Sequence, residues 1–501
     1  MTNQLADLKA RLAEVDDLEN AAALLEWDQL TMMPPAGAGG RADQSATLQK
    51  IAHEKFASDE VGRLLDDLGA QYKDKPAEDD DAALVRVATR LYQRKTRMPA
   101  ALVAEMVQAT SLGQPIWAAA RAQNNFKAFL PQLERIYDLK RQVAACFPEM
   151  ATRYDAMLDE YEPGATTAQI RAMFDELKRE LPPLVQAIAA KSTGQEDAVL
   201  HGDFDDQAQW ALSLRAVEQF GYDFNQGRQD KTVHPFATSF GLHDVRITNR
   251  VRRDHLTACL MGSLHECGHA LYDLGYPDKF ARSPLGHSAS LGIHESQSRL
   301  WENLVGRSRG YWQFFFPQMQ AAFPQQLADQ TAESFYHAVN TVRPTFIRVE
   351  ADEVTYNLHT VLRFEMEVDL LDGNLEPRHA PEAWNAKVKN YLGLTVTEDR
   401  LGVLQDTHWA SGLVGYFPTY TIGNLASAQL FNKAVADVPS IPDDITHGRF
   451  APLLGWLRQN VHQHARRYLP ADLIQVATGE PLSARPYLHY LKQKYGELYG
   501  L

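Results

Sequence analysis

The sequence predicts a mostly α-helical, multi-lobed protein with one small β-sheet near its middle. Three observations carry that expectation. Apolar residues recur at spacings of three and four over most of the chain, the period of a helix that buries one stripe. Between about residues 194 and 248 the texture changes: loops rich in Gly, Asp and Gln alternate with short runs of period two, such as Asp244-Val245-Arg246-Ile247-Thr248. The chain has 501 residues, more than one hydrophobic core ordinarily organises. The expected division is an N-terminal helical lobe, residues 1–193, and an integrated region, residues 194–501, holding the sheet and the C-terminal helices.

Taken in order, Leu5, Leu8, Leu12, Val15 and Leu18 open a long amphipathic helix over residues 1–33, which Pro34-Pro35 and Gly37, Gly39 and Gly40 are expected to break. A second helix is expected from Arg41 to Phe56 and a third from Ser58 to Leu68. The acidic run Glu78-Asp79-Asp80-Asp81 supplies first-turn charges for the next helix. Helical texture holds from Asp81 to Ala145, with interruptions expected at Met98-Pro99 and Gly113-Gln114-Pro115. Thr166 or Thr167 caps a helix carrying Ile170, Met173, Phe174, Leu177 and Leu181, and Pro182-Pro183 is expected to begin the one after it. After residue 250 the pattern is helical almost to the C-terminus.

Residues 254–275 are the most informative stretch. Leu256, Leu260, Leu264, Cys267, Leu271 and Leu274 form its apolar stripe, and Gly275 offers a stop. His265 and His269 then lie one turn apart on one face, offset from that stripe. Two imidazoles so spaced can hold one Zn²⁺ at about 2.0–2.1 Å, with Glu266 beside the metal as a base for water. A catalytic zinc needs a third protein ligand, and Glu295 supplies a carboxylate at the start of the next amphipathic helix, residues 291–304. His53-Glu54-Lys55-Phe56-Ala57 begins in the same way but ends in Ala, and reads as structural.

His265-Glu266-Cys267-Gly268-His269 followed by His294-Glu295-Ser296-Gln297 resembles the carboxypeptidase Taq family of metallocarboxypeptidases. Four further stretches match that family in order: His234-Pro235-Phe236, Asp244–Thr248, Ile347-Arg348-Val349-Glu350-Ala351-Asp352 and Gly402-Val403-Leu404-Gln405-Asp406-Thr407-His408-Trp409. Trp27-Asp28-Gln29 and Gly415-Tyr416-Phe417-Pro418-Thr419-Tyr420 extend the likeness to nearly the full length. The resemblance implies a helical, two-lobed fold with a long central groove, the first lobe forming part of its wall and lid. It also implies a homodimer and a zinc carboxypeptidase of broad specificity that releases single C-terminal residues from peptides.

Selecting a C-terminal residue calls for a cation opposite the free carboxylate, and the planar fork of Arg suits that task. Arg348, in the family's Ile-Arg-x-x-Ala-Asp pattern, is the first candidate and Arg246 the second; the alternative for each is an internal salt bridge, with Asp352 or Asp244. His408 and Tyr420 look similar to the His and Tyr that polarise the carbonyl in the distantly related angiotensin-converting enzyme. His234 is a candidate for a substrate pocket by its His-Pro-Phe pattern. His294 abuts Glu295 and either binds substrate or supports the metal ligands.

The remaining numbers exclude whole classes. Net charge is 50 − 64 = −14, which argues against nucleic-acid or anionic-membrane partners. No apolar run approaches the length of a membrane span, and residues 1–7 lack the charge and apolar core of a signal peptide. Cys146, Cys259 and Cys267 are too few for a disulfide framework, so a reducing cytoplasm is expected. Zn²⁺ is the expected metal, with Co²⁺ able to substitute. Two rival readings are a helical zinc endo-oligopeptidase and a catalytically silent zinc-stabilised binding protein; the presence of Glu266 and of only three evident ligands argues against the second.

Overall fold

The structure is a computed structural model that describes residues 2–501; residue 1, included in the first expected helix and in the N-terminal signal-peptide reading, lies outside the described residues. Among the described residues there are twenty α-helices and one three-stranded sheet. None of these helices is long and apolar enough to cross a membrane. The chain forms two compact units, each discontinuous in sequence. The first unit comprises the segment ending at Thr96 with Asp197–Val339 and Leu430–Pro481; the second comprises Arg97–Glu196, Asn340–Gln429 and Leu482–Leu501.

The sheet of the first unit has strands β1 (Gln229–Lys231), β2 (Phe236–Ser239) and β3 (Val245–Asn249) in the order β1-β3-β2. β3 pairs parallel with β1, matching Ile247 to Gln229, and antiparallel with β2, matching Ile247 to Ala237. Period two is visible over the first three residues of β3, where Val245 and Ile247 are fully buried and Arg246 between them is not; Thr248 and Asn249 are buried as well. At its end Asn249 turns its amide into the following helix, Ala258–Asp273, donating to Cys259 O and Ser263 Oγ at 2.6 Å each. Those bonds fix the helix against the sheet, and Gly262 leaves the room for them: a Cβ there would lie 2.8 Å from Asn249 Oδ1.

That helix buries Leu260, Leu264, Cys267 and Leu271, the stripe read from the sequence. Behind it lies an aromatic cluster in which Phe220 packs on Trp301 and Phe450, with ring centroids 4.7 and 4.6 Å away. Trp312 and Phe315 are also fully buried, so the aromatic run of residues 311–316 is core.

In the second unit Glu367 sits on helix Tyr356–Asp372, fully buried. It accepts hydrogen bonds from Tyr154 Oη at 2.7 Å, Trp409 Nε1 at 3.0 Å and the Gly415 amide at 3.1 Å. One carboxylate thus ties two helices to the 409–415 loop.

The break expected at Pro34-Pro35 and Gly37 is present, with the first helix ending at Thr31 and a 3₁₀ turn at Pro35–Gly37; the second helix, Ala38–Phe56, starts before Arg41 and takes Gly39 and Gly40 into its first turn. Two other expected breaks are absent. Helix Ala100–Ala122 runs through Gly113 and Pro115, and the bare Gly113 lets the Ala410 carbonyl approach to where a Cβ would be 2.4 Å away. Pro182-Pro183 does not begin a helix but lies inside Thr167–Ala189. There Ile170, Phe174, Leu177, Leu181, Val185 and Ile188 are buried along one stripe that continues past both prolines. That burial outweighs the lost backbone bonds. The start of this helix is as expected, with Thr166 in a capping box with Gln169.

Candidate metal centre

Helix Ala258–Asp273 presents His265 and His269 with ring centroids 4.9 Å apart. The next helix, Leu291–Arg299, is capped by Ser290, whose Oγ accepts the Ile293 amide at 3.0 Å, and it carries Glu295. The two helices can meet because of Gly268. A Cβ at that position would lie 2.6 Å from both Gln297 O and Ser298 Cα, well inside contact distance. The glycine between the two histidines therefore sets the distance at which Glu295 arrives. Its Oε2 lies 3.7 Å from His265 Nε2 and 3.6 Å from His269 Nε2. One ligand atom from each of the three lies within 4.8 Å of the others, the only such metal-suited group among the described residues.

The partners of these side chains decide which atoms point inward. His265 Nδ1 is 2.9 Å from Glu302 Oε2, and His269 Nδ1 is 3.0 Å from the His294 carbonyl oxygen. A carbonyl and an ionised carboxylate only accept, so each Nδ1 carries the proton and each Nε2 keeps its lone pair for a metal. Burial favours the neutral Glu302 acid, but Arg299, His265 and Arg307 outweigh it and hold the carboxyl well below its usual range. Arg299 Nε donates to Glu295 Oε1 at 2.7 Å, which leaves Oε2 facing the histidines. Two imidazole nitrogens and one carboxylate oxygen make a donor set suited to Zn²⁺ with coordination positions left over.

Glu302 was not singled out in the sequence. It lies in a π-helical segment, Leu300–Val305, closed by a bond from the Gly306 amide to Trp301 O at 2.9 Å. A carboxylate two turns past Glu295, with Arg299 between them, is the signal that could have found it.

Glu266, next to His265, is buried and makes no side-chain hydrogen bond to the described residues. Burial raises its carboxyl and outweighs the opposing pull of His265, leaving it at about 7. A bound cation would draw it down. His294 stacks on His269, ring centroids 4.1 Å apart, with its Nε2 3.3 Å from Asp273 Oδ1. Arg246 is elsewhere in this unit, on β3. It pairs with both oxygens of Asp244, at 2.8 and 2.7 Å, between the rings of Trp27 and Phe240. His234 is exposed just before β2.

Arg348, His408 and Tyr420 form a separate cluster in the second unit. Arg348 is 5% exposed and does not pair with Asp352, which bonds Thr355 and the backbone of residues 343, 354 and 355. Its partner is Asp406: Arg348 Nη2 donates to Oδ1 at 2.9 Å, Nη1 donates to Tyr356 Oη at 2.8 Å, and Nε is buried without a partner. Arg363 Nε donates to the other Asp406 oxygen at 2.6 Å. Two guanidinium groups share one carboxylate, so the cluster keeps one positive charge in excess. Burial would raise the Asp406 carboxyl, but Arg363 and Arg348 win and hold it far below its ordinary value. His408 Nε2 is 3.3 Å from Tyr420 Oη. Burial, helped by the two arginines and opposed by Asp406, pushes the His408 imidazole down to about 3, so it stays neutral at working pH.

The chain that carries these two histidines and this glutamate matches a known family. The sequence model described as carboxypeptidase Taq (M32) metallopeptidase covers residues 7–495. The chain belongs to the carboxypeptidase Taq (M32) family. It is 42% identical over 492 residues to thermostable carboxypeptidase 1 of Thermus thermophilus, covering 96% of each chain. It is 36% identical to carboxypeptidase 1 of Bacillus subtilis, over 98% of this chain and 97% of that one. The crystal structure of the M32 carboxypeptidase from Deinococcus radiodurans R1 superposes with a TM-score of 0.96 at 43% identity, covering 99% of this chain and 100% of that one. As an M32 metallopeptidase the chain is a hydrolase of peptide bonds that works with a divalent metal on peptide substrates.

Proposed function

We propose that this M32 enzyme is a zinc carboxypeptidase of broad specificity that removes the C-terminal residue of peptides by Glu266-assisted attack of water. The observation that carries the proposal is the convergence of His265, His269 and Glu295 within 4.8 Å, with both Nδ1 atoms engaged elsewhere. Those three residues would hold the ion, which when bound supplies Lewis-acid polarisation of water and of the peptide carbonyl.

In this reading Glu266 takes the proton of the attacking water and hands it to the departing amine. Its lack of a hydrogen-bond partner among the described residues leaves the carboxylate free for that exchange. Arg348 binds the terminal carboxylate, using the excess charge of its cluster, with Arg246 as the second candidate. His408 and Tyr420 polarise the scissile carbonyl; a neutral His408 donates a hydrogen bond without adding a full charge. His294 orients His269 through its carbonyl and its stacked ring, and His234 contributes to a substrate pocket. A reducing cytoplasm is the proposed setting, consistent with three free cysteines, and a homodimer the proposed assembly.

The test is Glu266→Gln. The variant should bind about one zinc per chain, because Glu266 is not a ligand, and lose nearly all turnover of a free-carboxylate peptide. Retained turnover with zinc bound would remove Glu266 from the reaction.

A further inference from the structure

A cavity of about 300 Å³ in the first unit runs from His294 and Asp273, at the end of the His265–His269 helix, to Arg466. The charged groups around it are matched except one. Asp273 faces His294 at 3.3 Å, Asp16 faces His287 at 3.0 Å, and Arg282 pairs with Asp17 at 2.9 and 2.5 Å. A smaller cavity of about 230 Å³ meets the same Arg466 from another side, and there Glu19 pairs with Lys95 at 3.1 Å. Arg466 has no such partner. Its side chain makes one hydrogen bond to the described residues, from Nε to Ser288 O at 2.8 Å, and no carboxylate lies within ion-pair range. Burial depresses its guanidinium, further lowered by Arg90 and partly offset by Tyr276, by Tyr272 and, from beyond ion-pair range, by Glu19.

Arg466 is half-buried, and a guanidinium drawn partly out of water without an ion-pair partner in contact is costly. The preceding residue adds to that cost. Ala465 has φ 44° and ψ −121°, a backbone conformation that a residue with a side chain rarely adopts. The fold thus keeps a fork with no ion-pair partner in contact on a cavity wall, next to a strained backbone residue. Planar forks of this kind recognise carboxylates and other small oxyanions through parallel N–H···O bonds.

We propose that Arg466 seats a small oxyanion, a carboxylate above all, in the cavity that reaches His294 and Asp273. Two sources share this chemistry: the side chain of an acidic residue in the peptide, and a free anion from solution. The peptide source rests on the carboxypeptidase reading above; the seat itself does not.

Two measurements on the metal-loaded full chain test the proposal, comparing parent, Arg466→Gln and Arg466→Lys. In the first, sodium acetate is titrated at constant ionic strength while Tm is followed. The parent should be stabilised saturably, and Arg466→Gln should show no saturable rise. Arg466→Lys keeps the charge but not the fork and serves where the Gln variant does not fold; its half-saturating acetate concentration should rise severalfold. In the second, peptides carrying Glu or Gln at each successive position before the C-terminus are compared by kcat/KM. A Glu:Gln ratio of about tenfold at one position, falling to near one in Arg466→Gln, identifies the peptide as the source. Saturable acetate binding without any such preference identifies a free anion. A parent with neither response, or acetate responses identical in parent and variants, overturns the proposal. Should no peptide be hydrolysed while the acetate response holds, the carboxypeptidase reading fails and the seat stands.

Discussion

Replacing Gly268 by Ala tests the claim that the gap between two helices tunes the metal site. The new Cβ would lie 2.6 Å from Ser298 Cα and from Gln297 O, where ordinary contact begins near 3.4 Å. Both neighbours are backbone, so no side chain can swing aside, and the helices must part by about 0.8 Å. Metal–ligand distances tolerate roughly ±0.2 Å, so a displacement of this size pulls Glu295 out of reach of an ion held by the histidines. Two effects on stability compete. Ala gains about 1 kcal/mol over Gly in a helix, while overpacking costs about 1–3 kcal/mol. The net should be a loss of up to about 2 kcal/mol, modest beside the effect on the metal. Competition titration against a chelator should show zinc affinity weakened by about two orders of magnitude or more, with Tm of the metal-free protein falling by only a few degrees. Parent-like zinc affinity in Gly268→Ala, with the metal-free protein folded, would refute the reasoning.

Arg348→Ala should cut kcat/KM for free-carboxylate peptides by roughly 30-fold or more while C-terminally amidated copies lose little further; equal losses for both forms would shift the role to Arg246. Glu302→Gln leaves all three ligands in place but weakens the anchor on His265 Nδ1, so chelator competition should show zinc affinity reduced by about 10–100-fold; an unchanged affinity would make Glu302 a mere ion-pair partner of Arg299. Glu367, pushed up to about 7 by burial against the pull of its three hydrogen-bond donors, keeps its proton in the fold at pH values where the unfolded chain has lost it. Its contribution to stability is therefore full below about pH 4.5 and is lost as pH rises toward 7, so the Tm difference between parent and Glu367→Gln should shrink over that window; a constant difference would show that Glu367 is already ionised.

Much of this site could be read from one strand of letters because its spacing is local. His265 and His269 share a face by helical period alone, and Glu295 follows on the next helix. The pairing of Arg348 was not legible in the same way. Asp352, four residues on, was the acid that the local motif offered, whereas the partner is Asp406, 58 residues away, a distance only tertiary packing can close. The prolines at 182 and 183 misled for a related reason. Proline chemistry disfavours a helix interior locally, and the buried stripe that overrides it becomes decisive only once the second unit has packed around it. Gly268 looked like an incidental letter of the His-Glu-x-x-His motif until the neighbouring backbone showed why nothing larger fits.

The clasp around Arg348 bears on binding kinetics. Asp406 and the Tyr356 hydroxyl hold two of its nitrogens, and the guanidinium carbon lies 4.7 Å above the Tyr420 ring. A free arginine side chain carries about 2 kcal/mol of rotamer entropy, and here that freedom is surrendered when the protein folds, not at each encounter with a ligand. In the proposed role, a carboxylate arriving at this guanidinium would meet a rigid receptor whose orientation is already set by two hydrogen bonds. Little local rearrangement need precede capture, and loosening the clasp at Tyr356 or Asp406 would make a ligand wait for Arg348 to find its orientation.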